Sequence, residues 1–217
     1  MIKVSILMLT HNAPHFIKKS IISVDKYTHD CDYELIVVDN DSKNRTKRML
    51  TKLLEKGYID KLLLNSKNDL FAKGNNLAAS LANSNSDYYL LLNSDIQVNS
   101  SDWLSNLLKV AQNKDGIVSY GAVLSEPKRA DGYCLLIDAN LYNKYKLDEQ
   151  FAWWWGVTKL EGEVLKEGKN VTAIKEHEKY LHHFGGKSGK GFKNAFGMNV
   201  DMNEVKSWFE NNKVKII

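Results

Sequence analysis

Glu34-Leu35-Ile36-Val37-Val38-Asp39-Asn40-Asp41-Ser42 decides the fold of this chain. Leu35 to Val38 are uninterrupted apolar residues, which reads as a strand buried on both faces. Such strands belong to parallel sheets covered by helices rather than to one-sided antiparallel sheets. The run stops abruptly at a polar cluster. Upstream, Ile2-Lys3-Val4-Ser5-Ile6-Leu7-Met8-Leu9 behaves the same way and stops at Thr10-His11-Asn12. Pro14 then suits the first turn of a helix, and Phe16, Ile17, Ile21, Ile22 and Val24 give it an apolar stripe. Downstream, Ser42 is placed to cap a helix that buries Met49, Leu50, Leu53 and Leu54 and stops at Gly57. Lys61 to Leu64 is a third strand. An Ala-rich helix carrying Leu77, Ala78, Leu81 and Ala82 on one face follows. Tyr88 to Leu92 is a fourth strand, ending at Asn93-Ser94-Asp95, and Ser100 or Ser101 caps a helix bearing Trp103, Leu104, Leu107 and Leu108. Strand–helix alternation of this kind specifies an α/β architecture with a mostly parallel sheet. Ligands bind such sheets beyond the carboxyl ends of the strands. Four polar clusters fall there, so a ligand crevice is expected at that edge.

The pattern changes after residue 115. Gly116–Leu124, Gly132–Ile137 and Asn170–Ile174 read as strands. Phe151-Ala152-Trp153-Trp154-Trp155 leads into a helix ending near Gly168, and Val205, Trp208 and Phe209 mark a last helix. With no repeat and no linker of disordered composition, the 217 residues form one domain in two lobes. Thirty Lys and Arg against 26 Asp and Glu leave a net charge of +4, too mild for a nucleic-acid footprint. Residues 42–73 hold nine of the basic residues, which reads as a solvated helix face. Two cysteines cannot make a disulfide framework. With no signal peptide and no apolar run of transmembrane length, the expected setting is the reducing cytoplasm. The ending Lys213-Val214-Lys215-Ile216-Ile217 permits a longer multidomain chain.

Two nucleotide motifs fail on spacing. The turn after the first strand contains no glycine, which excludes the dinucleotide fingerprint, and Leu181 stands where a P-loop ending in Gly186-Lys187-Ser188 needs its first glycine. Asp95, at the end of a buried strand, is instead the type of carboxylate that grips Mg²⁺ or Mn²⁺ together with a ligand's phosphates.

Four segments, in order, resemble the family 2 group of inverting GT-A glycosyltransferases. Val4 to Asn12 is similar to that family's strand followed by Thr-Tyr-Asn. Ile36 to Ser42 is similar to its hydrophobic-Val-Asp-Asn/Asp-x-Ser signature. Asn68-Asp69-Leu70-Phe71-Ala72-Lys73-Gly74-Asn75-Asn76 is similar to the Asn-x-Gly-Phe-Ala-x-Gly-Asn-Asn of rhamnosyltransferase-like members. Leu91 to Asp95 sits where the family has Asp-x-Asp. The resemblance, from about residue 2 to 188, implies the GT-A fold, with a nucleotide-sugar lobe over about 1–115 and an acceptor lobe over about 116–217. It implies a UDP-, GDP- or dTDP-sugar donor and a glycan or other hydroxyl acceptor, in polysaccharide biosynthesis or protein glycosylation. Thr10, Asn12, Asp39, Asp41, Lys73, Asn93 and Ser94 would hold the nucleotide. Asp95, with His183, would bind Mn²⁺ or Mg²⁺, and Lys187 and Ser188 would form a loop over the diphosphate. Adjacent Trp154 and Trp155 would offer a platform to a sugar ring.

The sequence departs from the family pattern in two places. Asn93 replaces the first metal-motif acid, so charge there rests on Asp95. The Glu-Asp-x-Asp that carries the general base would fall on Gly156, Val157 and Lys159, none of them acidic. Glu149 or Asp148 is the expected replacement, with Glu161 and Asp131 as alternatives. Two other readings remain: a sugar-nucleotide-binding domain that has lost its base, and a haloacid-dehalogenase-like phosphohydrolase with Asp39 as nucleophile.

Overall fold

The computed structural model describes residues 2–112, 116–151, 153–187 and 199–217. In chain order the elements are β1 (Lys3–Thr10), α1 (Pro14–Tyr27), β2 (Asp32–Asn40), α2 (Asn44–Glu55), β3 (Lys61–Asn65), α3 (Leu70–Ser80), β4 (Tyr88–Leu92), β5 (Ile96–Val98) and α4 (Trp103–Gln112). There follow β6 (Gly116–Tyr120), β7 (Ala122–Val123), β8 (Arg129–Ala130), β9 (Cys134–Asp138), α5 (Ala139–Tyr145), α6 (Trp155–Lys166), β10 (Asn170–Ile174), β11 (Leu181–His183), α7 (Met202–Phe209) and β12 (Lys215–Ile216).

One eight-stranded sheet in the order β12-β10-β6-β9-β4-β1-β2-β3 runs through both halves of the chain. Only β9 is antiparallel to its neighbours β4 and β6. The apolar strands bury both faces by alternation. Val4, Ile6, Met8, Leu35 and Val37 point to one core, shared with Ile17, Ile21, Leu50, Trp103 and Leu107. Leu7, Ile36, Val38 and Leu91 point to the other, shared with Ala72, Ala78, Val157, Leu160, Val205 and Trp208. Thus α1, α2 and α4 cover one face, and α3, α5, α6 and α7 the other. The chain leaves β1 toward β2 on one side, and β4 inserts on the other, so the strand order reverses at β1. That switch point is where an open α/β sheet leaves room for a ligand.

Several elements differ from the sequence reading. The run after Gly116 breaks at Gly121, whose φ of +90° turns the chain out of β6 into the β7–β8 hairpin. Ser42 does not cap α2, because its hydroxyl accepts the backbone N–H of Asn12 and ties the two polar turns together. The β5–β11 pair, three residues on each side, was not expected. Its antiparallel register sets His183 opposite Ile96, the residue after Asp95.

Candidate active site

A cavity of about 860 Å³ opens at the carboxyl ends of β1 and β4. One wall is Thr10, His11 and Asn40 from the turns after β1 and β2, with Asn68, Leu70 and Phe71 at the head of α3. The floor is Asn93, Ser94 and Asp95. Asp131, Gly132 and Tyr133 face in from the turn between β8 and β9. Trp153, Trp154 and Trp155 form the far side, while His183 and Gly186 complete the rim.

The floor is electrostatically the most distinctive part. Asp95 is 2 % exposed, and its Oδ2 accepts the backbone N–H of Lys187 at 3.1 Å. Its Oδ1 lies 3.3 Å from His183 Nε2, yet neither atom makes a well-formed hydrogen bond. Burial acts to raise the Asp95 carboxyl, but the His183 ring and the Lys187 N–H outweigh it and hold it below the usual range. His183 is fixed from behind by the Tyr133 ring, stacked on it with centroids 4.2 Å apart. The Tyr133 hydroxyl in turn bonds His177 Nε2, while His177 Nδ1 bonds the Lys175 carbonyl. A buried carboxylate oxygen and an imidazole nitrogen facing each other at 3.3 Å with no well-formed hydrogen bond fit a divalent cation. Among the described residues no set of three acidic, His or Cys side chains is placed to hold one. The remaining ligands would therefore be phosphate oxygens and water, the usual condition of Mg²⁺-type sites.

The nucleotide-side residues divide. Thr10, Asn93 and Ser94 line the cavity, and the Ser94 hydroxyl is buried without a partner. Asp39 is 0 % exposed and outside the lining; its oxygens accept the Thr10 hydroxyl at 3.1 Å and the Ser42 N–H at 3.0 Å. So enclosed, it offers no open nucleophile of the phosphohydrolase kind. Asn12 clasps the neighbouring turn: its Oδ1 accepts the Lys43 N–H and its amide nitrogen bonds His11 Nε2. Asp41 is exposed and paired with Lys47 at 2.9 Å. Lys73 pairs with Asp69 one helical turn back. His11, which sequence reading passed over, lines the cavity with Nδ1 2.6 Å from the Asn40 carbonyl. Leu70 has φ +61° where the resembled motif has glycine, and it too lines the cavity.

The two acids expected to act as base lie outside the lining. Asp148 is clamped by Lys159 at 2.5 Å, and Glu149 accepts the Asn76 amide at 3.1 Å. Glu161 is 0 % exposed, with Oε2 accepting the Ala130 N–H. Burial pushes its carboxyl well above the usual range. Asp131 is the cavity's other titratable carboxylate alongside Asp95 and Glu126. Burial raises it too, partly countered by His183 and by backbone N–H groups of Tyr133 and Gly132. Trp154, 46 % exposed, and Trp155, in the core, both line the cavity. Lys187 contributes its backbone N–H, and Ser188 lies outside the described residues.

A parallel sheet with one reversed strand and a ligand crevice at its switch point is the GT-A arrangement of nucleotide-sugar transferases. The chain belongs to glycosyl transferase family 2, whose model matches residues 5–159. Among solved structures it is similar to a mannosyltransferase from Pyrobaculum calidifontis in complex with GDP-Man and Mn²⁺. That match has a TM-score of 0.60 and 18 % identity, and covers 72 % of this chain and 51 % of the other. It is also similar to S. aureus TarS 1–349 in complex with UDP-GlcNAc, with a TM-score of 0.54 and 16 % identity over 68 % of this chain and 49 % of that one. The chain thus spans about half the length of these structures. A search of curated proteins found no match. No helix among the described residues is long and apolar enough to cross a membrane.

Proposed function

We propose that this domain transfers a glycosyl group, with inversion and with a divalent cation, from a nucleotide-diphospho-sugar to a hydroxyl of a glycan or similar acceptor. The observation that carries this reading is the opposed pair of Asp95 Oδ1 and His183 Nε2 at the cavity floor, 3.3 Å apart and without a well-formed hydrogen bond. Mn²⁺ or Mg²⁺ held there would act as a Lewis acid on the departing diphosphate. Thr10, Asn93 and Ser94 face the nucleotide, while Asp39, Asn12 and Asp41 shape the turns around it. Lys73, paired with Asp69 on α3, is assigned to the nucleotide, and Lys187, whose N–H holds Asp95, is assigned with Ser188, next in sequence, to the diphosphate. Trp154 gives the acceptor or the donor sugar an apolar face to stack on, so the C-terminal segment serves as the acceptor side. The two free thiols fit a cytoplasmic setting.

Calorimetry with UDP, GDP and dTDP tests the reading. At least one should bind in Mn²⁺ and lose that binding in EDTA. Absence of binding by all three, or binding indifferent to EDTA, contradicts it. The rival reading, a binding domain without a base, predicts nucleotide binding but neither transfer nor donor hydrolysis.

A further inference from the structure

We infer that Asp131, on the turn between β8 and β9, is the general base that deprotonates the acceptor hydroxyl.

The position follows from what holds its two flanks. Two residues before it, the Arg129 guanidinium lies over the Trp155 ring, 5.6 Å from the centroid, so this end of the turn is fixed to the tryptophan wall. Two residues after it, the Tyr133 ring is stacked on His183, so the other end is fixed to the metal-side pair. Asp131 sits between them, between the acceptor face and the floor where the diphosphate would lie. The turn is rigid. The Asp131 carbonyl accepts the Ser119 hydroxyl at 2.5 Å, and its N–H donates to the Gly121 carbonyl at 3.0 Å. A Cβ on Gly132 would come within 3.0 Å of Val157, so the turn rests directly on α6.

Of the cavity's other carboxylates, Asp95 faces His183 and Glu126 is exposed on the turn between β7 and β8. Asp148 is neutralised by Lys159, Glu149 is on the exposed side against Asn76, and Glu161 is sealed behind β8. Among the described residues no ion pair engages Asp131, so its carboxylate keeps its basicity. Its desolvated surroundings raise that basicity further, as suits a general base. Glu161, whose Oε2 holds the N–H of Ala130 immediately before Asp131, acts as a positioning residue.

The step balances simply. The acceptor O–H proton passes to the Asp131 carboxylate as the acceptor oxygen bonds the anomeric carbon. The bond from that carbon to the diphosphate oxygen breaks, and its electron pair leaves with the nucleoside diphosphate. Asp131 later returns the proton to solvent.

The role rests on the donor reading above, and the test separates the two. Wild type, Asp131→Asn, Glu149→Gln and Asp148→Asn are compared for binding of UDP, GDP and dTDP with Mn²⁺, and for nucleoside diphosphate release from the matching sugar donors with hydroxyl acceptors and with water alone. Asp131→Asn should keep nucleotide affinity within about 2-fold, which also reports a folded site, while release falls at least ~100-fold, within the range general bases supply. Glu149→Gln and Asp148→Asn should stay within about 5-fold. Unchanged binding with release by Asp131→Asn within about 5-fold of wild type overturns the base alone. Wild type that binds a nucleotide but neither transfers nor hydrolyses any donor overturns it as well. Failure of wild type to bind any of the three nucleotides removes the donor site and the base together.

Discussion

Asp95 and His183 define the site at the scale of single residues. Each has a buried polar atom directed at the other without a good hydrogen bond, a condition that costs free energy unless something else satisfies both. Asp95→Asn or His183→Ala should therefore weaken Mn²⁺-dependent nucleotide binding by at least about 10-fold, since even outer-shell changes at metal sites cost about that much. Calorimetry reads it, and affinity unchanged in both variants would contradict the pairing. Glu161 poses the opposite case, a carboxyl raised by burial. Below its unfolded value, near 4.3, it is protonated in both states. As pH rises through the window up to the raised native value, the native state holds the extra proton and stability falls. Glu161→Gln carries no such charge, so its melting temperature relative to the parent should rise as pH increases above the unfolded value of about 4.3. Absence of any such rise would show that the native carboxyl is not raised above its unfolded value.

Secondary-structure elements meet at points where a single atom decides the fit. α6 and α7 touch at Gly162, where an added Cβ would lie 2.5 Å from the Trp208 carbonyl oxygen. Backbone cannot swing aside as a side chain can, so Gly162→Ala should cost about 2 kcal/mol, in the range of overpacked cores. A denaturation midpoint matching wild type would mean the helices separate freely. Near the amino ends of the strands, Glu34 accepts hydrogen bonds from Ser5 on β1 and from the Asn83 N–H, and pairs with Lys61 on β3 at 2.8 Å. Burial acts to raise its carboxyl, but these bonds outweigh it and hold it low. Its contribution is present above its unfolded value and lost as pH falls through the native one. Glu34→Gln should destabilise by about 2 kcal/mol at pH 7, and by less at pH 3, in chemical denaturation. Equal losses at both pH values would exclude a charge-based role.

At the scale of the whole molecule, the sheet and its helices were legible because each strand carries its own signal. Leu35 to Val38 alternate between two cores, and only a strand covered on both sides can be apolar at every position. The position of Asp95 beyond β4 followed from the same pattern. His183 was legible only through family resemblance, because the pairing that brings it to Asp95 is three residues long and spans the sequence from β5 to β11. The base was the hardest to read. Lys159 captures Asp148 across the loop before α6, and Asp131 enters the cavity because of how the β7–β8 hairpin folds back. Neither contact leaves a periodic trace. Asp39 is tied to Thr10 and Ser42 for a related reason: in a buried turn a carboxylate satisfies neighbouring donors before any ligand arrives.

The most direct measurement of the central claim is an anomalous difference map from crystals grown with Mn²⁺ and the nucleoside diphosphate that binds in solution. A manganese peak within bonding distance of both Asp95 Oδ1 and His183 Nε2, with phosphate oxygens completing its coordination, is the predicted result. A nucleotide bound in the cavity with manganese elsewhere, or with no manganese at all, would contradict it.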